Sequence, residues 1–151
     1  MILIIGKIWN YEIMTKTKKK KTKTIPEDKV IEVVLNWAYK NHYGLKPKIK
    51  YGHKHGVDLE LTHKKTRHKY FIECKGGPHH EVNFMLALGQ IITRMNRKPL
   101  GVNYGIALPT QAAEIARKRI PRNFATRNKL TIFSVSNQGR VKRLTASNFL
   151  K

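Results

Sequence analysis

The sequence predicts a mixed α/β domain with helices packed on a central mixed sheet, in the order αβββαβαβ. Three observations carry this. Apolar residues recur at helical spacing after Pro26, two short segments then alternate apolar and polar residues, and apolar helices alternate with short apolar strands after Gly76-Gly77-Pro78. The chain has 151 residues, enough for one hydrophobic core and one domain.

Each element has a local reason. Residues 15–24 read TKTKKKKTKT, and no apolar side chain there can pack, so residues 1–24 are expected to form an apolar start and a mobile lysine-rich tail. The folded domain is expected over residues 25–151. Thr24 offers a cap, Pro26 suits a first helical turn, and Glu27 and Asp28 favour the positive end of a helix. Val30, Ile31, Val34, Leu35 and Ala38 give that helix one apolar stripe from 27 to about 41, and Gly44 is expected to stop it.

Strands are expected at 46–51, 57–62 and 68–75, separated by turns rich in Gly, His and Lys. A second helix is expected from about 81 to 95, a strand at 104–108, a helix at 110–119 and a strand at 130–135. Asn137-Gln138-Gly139 then turns the chain into residues 140–144, completing a basic hairpin.

Charge narrows the function. Thirty-one Lys and Arg face nine Asp and Glu, giving +22. Such a charge opposes compaction and implies a polyanionic partner, nucleic acid first. The tail's six lysines account for only part of it, so the body is basic as well. The single cysteine, Cys74, excludes an internal disulfide and fits a reducing, cytoplasmic setting. No apolar run reaches membrane-spanning length, and Met1-Ile2-Leu3-Ile4-Ile5 lacks the basic start and cleavage site of a secretory leader.

In so basic a chain, acids inside expected strands need a reason. Asp58 lies near the start of one strand, and Glu73 and Lys75 lie at the end of the next. Period-two alternation puts Glu73 and Lys75 on one face and Cys74 on the other. If the strands pair as a hairpin, the two carboxylates converge beside an ammonium group. Oxygen donors of this kind suit Mg²⁺, with Mn²⁺ able to substitute, and the Cys74 carbonyl is positioned to complete the set. The alternative is a surface hairpin with an ordinary Glu73–Lys75 ion pair.

Gly56-Val57-Asp58, a gap of fourteen residues, and Glu73-Cys74-Lys75 resemble the D…ExK signature of the PD-(D/E)XK nuclease superfamily. Val57 stands where that pattern has proline. The likeness covers roughly residues 26–135 in element order as well as motif. It implies a restriction-endonuclease-like core, metal-dependent hydrolysis of DNA phosphodiesters to 5′-phosphate and 3′-hydroxyl ends, and Asp58, Glu73 and Lys75 as the catalytic group. Glu27 resembles the first-helix Glu that assists the metal in many members, and its other role is a helix-terminus charge. Gln90, one turn before Arg94, resembles the Gln on the second helix of several branches, and its other role is a solvent-facing polar.

Small size and high basicity resemble a homing endonuclease of a mobile intron within this superfamily. One site per domain implies a homodimer or homotetramer for cutting double-stranded DNA. Lys118, Arg119 and Arg122 belong to a basic stretch suited to phosphate contacts. Gln138, Arg140, Lys142 and Arg143 sit on a hairpin suited to base edges in the major groove, or simply to solvent. A Holliday-junction resolvase of the same fold and a non-enzymatic nucleic-acid-binding protein are the competing readings. His79-His80 and the pair His53 and His55 lack the partners of a zinc site, and Cys74 is expected to be a buried small side chain.

Overall fold

A computed structural model describes residues 23–45, 57–95 and 101–150. Its elements are α1 (Glu27–Lys40), β1 (Tyr43–Leu45), β2 (Leu59–His63), β3 (Lys69–Cys74), α2 (His80–Met95), β4 (Val102–Pro109), α3 (Thr110–Arg119), α4 (Arg122–Arg127), β5 (Leu130–Val135) and β6 (Val141–Leu144). The strands form one sheet in chain order. β1, β2 and β3 pair antiparallel, β3, β4 and β5 pair parallel, and β6 returns antiparallel along β5. The fold is therefore α/β with a mixed six-stranded sheet between helices, as the alternation of patterns predicts.

Alternation along the strands divides the core. Leu59, Leu61, Tyr70, Ile72, Cys74, Phe133 and Val135 face α1 and pack with Val30, Val33, Val34 and Ala38. Tyr104, Ile106, Leu108, Leu130 and Ile132 face the other way and pack with Phe84, Ala87 and Ile91 of α2 and the buried alanines of α3. The strands of the parallel segment are buried on both faces: every residue of β5 is buried, as a central strand requires. Trp37 packs edge-on to Phe133 and is only partly buried, with the Arg143 guanidinium over its ring.

Some boundaries differ from expectation. Helix α1 ends at Lys40, next to the expected end, but Gly44 is not what stops it. The Asn41 side chain donates to the Trp37 carbonyl at 2.7 Å and satisfies the last turn, so no glycine stop is needed. Gly44 instead sits in β1, opposite Thr62. Pro26, not Thr24, is the N-cap residue of α1, with no side-chain cap bond. The expected first strand, 46–51, lies outside the described residues, as do His53, His55, Gly56 and most of the lysine-rich tail. The stretch 122–127 forms the short helix α4, launched by Pro121, which six residues are too few to reveal by periodicity.

Candidate active site

The register of β2 on β3 assembles the acidic pair. Leu59 stands opposite Ile72, so the next step outward brings Asp58 opposite Glu73. Asp58 precedes β2, and its Oδ2 accepts the Cys74 backbone N–H at 2.7 Å, which fixes the carboxyl against the end of β3. In a strand the N–H and C=O of one residue emerge on the same edge, so the Cys74 carbonyl is directed to the Asp58 side as well. Glu73 lies on the α2 face of the sheet and is only 3% exposed. Lys75 follows β3 and is held to β4 by its N–H, which donates to the Ala107 carbonyl at 3.0 Å.

A close backbone approach adds the fourth residue. A Cβ on Gly76 would lie 2.4 Å from the Glu27 nitrogen and 2.5 Å from the Pro26 carbonyl carbon, so only glycine lets α1 begin here. The Gly77 N–H donates to the Ile25 carbonyl at 2.7 Å, and Asn83 donates to the Gly77 carbonyl at 3.2 Å. This junction carries Glu27 to Lys75, whose Nζ lies 3.5 Å from Glu27 Oε1. Glu32, by contrast, pairs with Lys29 at the surface.

Burial and like charge set the electrostatics. Desolvation raises the Glu73 pKa to about 8, helped by the Asp58 charge and a side-chain hydrogen bond with Asp58, against the pull of Lys75 and Arg94. Glu73 therefore holds its proton more firmly than an ordinary carboxyl, as burial beside a second acid requires. Glu73 Oε1 is buried, makes no hydrogen bond, and lies 3.7 Å from Arg94 Nε. Burial likewise pushes the Cys74 thiol well above its ordinary range, with Asp58, Glu73 and Glu27 adding to it, so the sulfur is neutral packing rather than a nucleophile.

Among the described residues no group of three or more His, Cys, Asp or Glu is arranged around a common point for a metal. The oxygen set that the site does offer is the Asp58 and Glu73 carboxyls with the Cys74 carbonyl. Its chemistry fits a hard divalent cation: two acids repel each other, and a buried carboxylate oxygen lacks a donor.

The remaining expected residues fall into separate places. Gln90 is exposed on α2, one turn before Arg94, and Arg94 is the residue of that helix that reaches Glu73. Its spacing from Gln90 was the available signal for Arg94. Arg119 ion-pairs with Glu81. Arg122 donates to the Ser147 and Phe149 carbonyls at 3.0 and 3.2 Å and so ties down the C-terminal turn, while Lys118 is exposed. Gln138, Arg140, Lys142 and Arg143 are exposed on the β5–β6 turn and the edge strand β6. Because β3, β4 and β5 are parallel, the turn after β5 emerges at the same end of the sheet as Glu73 and Lys75. There Ser136, Asn137 and Gly139 line a cleft with Lys23 and Lys29. No helix of the described residues is long and apolar enough to cross a membrane. Comparisons with family models, curated proteins and solved structures return no match to this chain.

Proposed function

We propose that this chain is a Mg²⁺-dependent DNA endonuclease with a PD-(D/E)XK-type core, cutting double-stranded DNA at specific sites in the manner of a homing endonuclease. The observation that carries the reading is the convergence of Asp58 and Glu73, fifteen residues apart along the chain, into an acidic pair beside Lys75. A buried acid pair is costly to the fold, and a site that binds a cation gives it a purpose.

Asp58, Glu73 and the Cys74 carbonyl would hold the metal, which when bound supplies Lewis-acid stabilisation of phosphate charge and a more acidic water. Lys75, steadied by Glu27, orients the attacking water and offsets negative charge on the phosphodiester. Arg94 holds the Glu73 carboxylate from the helix side. The cleft bearing Lys23 and Lys29 and the turn bearing Gln138 and Arg140 extend the positive surface from the site along a nucleic-acid backbone.

The test is incubation with Mg²⁺ and a panel of plasmid, four-way-junction and single-stranded DNA, with Glu73→Ala in parallel. Discrete double-strand fragments from the wild type alone bear out the proposal. Cutting confined to junctions replaces it with a resolvase, and binding without any Glu73-dependent cutting replaces it with a non-enzymatic nucleic-acid-binding protein.

A further inference from the structure

Helix α2 is apolar on both sides. Its inner side, Phe84, Ala87, Ile91 and Met95, is buried against the sheet. Its outer side carries Val82, Met85, Leu86 and Ile92, which are 55%, 58%, 50% and 39% exposed. They are four of the six large hydrophobics exposed among the described residues, so the exposure is concentrated on one helix. At the 3.6-residue period they form one stripe with Gly89 on its midline. A helix apolar all round belongs in an interior, yet among the described residues nothing covers this side.

Gly89 sharpens the point. Glycine inside a helix costs about 0.5–1 kcal/mol relative to alanine. A Cβ at Gly89 would meet nothing within 4 Å, so no neighbour among the described residues requires its absence. The remaining use of a missing side chain there is close approach by another backbone.

Charge selects the partner. The sixteen residues of α2 include one acid, Glu81, and one base, Arg94, in a chain carrying +22. The outer sides of α1 and α3 carry exposed charges, among them Lys29, Glu32 and Lys40, and Lys118 and Arg119. An anionic partner would take the basic surfaces, whereas a partner as basic as this chain can meet it only where Lys and Arg are absent. Two copies of α2 crossing antiparallel also set each positive helix end against the other's negative end. We infer that the outer face of α2 is a two-fold interface between two copies of this chain, with Gly89 at the crossing point.

Such an interface has an apolar centre and a polar rim of Glu81, Gln90 and Thr93, the usual anatomy. The stripe supplies that centre. The inference stands without the nuclease reading. Joined to it, the dimer supplies the second site that cutting two strands requires.

The experiment is sedimentation of the full chain at about 100 µM in high salt, without DNA or metal, so that its outcome is independent of catalysis. The expected mass is twice the 17.5 kDa of one chain. Met85→Glu and Leu86→Glu should weaken association at least tenfold while far-UV circular dichroism is unchanged, and Met85→Gln serves if a glutamate variant fails to fold. Gly89→Cys should form an interchain disulfide on oxidation, since the native Cys74 is fully buried and does not compete. A monomeric wild type, as would follow if another segment of the chain covers the stripe, overturns the inference. So does a dimer that the Met85 and Leu86 variants leave intact and Gly89→Cys fails to cross-link.

Discussion

Glu73 is a carboxyl that the fold holds protonated through neutral pH, and this has a measurable consequence. Its pKa is about 8 in the folded chain against an ordinary 4.5. A raised pKa favours the protonated form of the native state, so the contribution to stability is complete below pH 4.5 and is lost as pH rises through 8. Each unit corresponds to about 1.4 kcal/mol, which makes the loss on the order of 3 kcal/mol after allowance for relaxation of the pair. Without divalent cations, the melting temperature of the wild type should therefore fall between pH 5 and 9 more steeply than that of Glu73→Gln, which holds a neutral amide in the same volume. Adding Mg²⁺ at pH 8 should raise the wild-type melting temperature and leave Glu73→Gln unmoved. Parallel pH profiles for the two proteins would refute the account of the pair.

The same residues explain why the site was legible. With only nine acids in the chain, an Asp beside one expected strand and a Glu within the next stand out, and period-two alternation fixes which side of the sheet Glu73 and Lys75 occupy. Arg94 was harder to assign. Helix α2 is apolar on both sides, so its sequence does not say which side meets the sheet, and Arg94 declares itself only once Ala87 and Ile91 are seen to be buried.

At the scale of elements, the junction of α1 with β3 depends on one missing side chain. Gly76→Ala puts a methyl within 2.4–2.7 Å of the backbone of residues 25–27, atoms that cannot rotate aside. Overpacking of this kind costs roughly 1–3 kcal/mol, and here the strain falls on the start of α1. Urea unfolding should show that loss, and Glu27 should retreat from Lys75, so on the proposed function the loss of DNA cutting should exceed what Glu27→Gln alone produces. An Ala variant as stable as the wild type would mean that the helix start shifts freely. Periodicity located α1, α2, α3 and β5 well because their buried stripes are long and regular. It did not locate α4 or the close contact at Gly76: the first is too short for a period, and the second is a meeting of segments almost fifty residues apart.

At the scale of the molecule, the parallel run β3–β4–β5 decides which basic residues share the site. Strand ends that carry Glu73 and Val135 lie together, so the β5–β6 turn is at the end of the candidate site, whereas Arg127, just before β5, is at the other end. That separation, about 20 Å along a six-residue strand, is invisible in a sequence where all these positions are simply basic. On the proposed function, it predicts which charges would contact DNA. Each phosphate neutralised by Lys or Arg releases condensed counterions and steepens the fall of affinity with salt by about one unit of logarithmic slope. Fluorescence anisotropy in EDTA, with salt raised from about 50 to 300 mM, therefore separates contact residues from bystanders. Arg140→Ala and Lys23→Ala should each lower affinity several-fold and reduce the slope by about one, because Lys23 lines the cleft and the exposed Arg140 directly follows its lining residue Gly139. Arg127→Ala removes the same formal charge from the opposite end and should leave the slope unchanged. Equal slopes for all three variants would mean that DNA responds to net charge alone and that the candidate site's end of the sheet does not orient it.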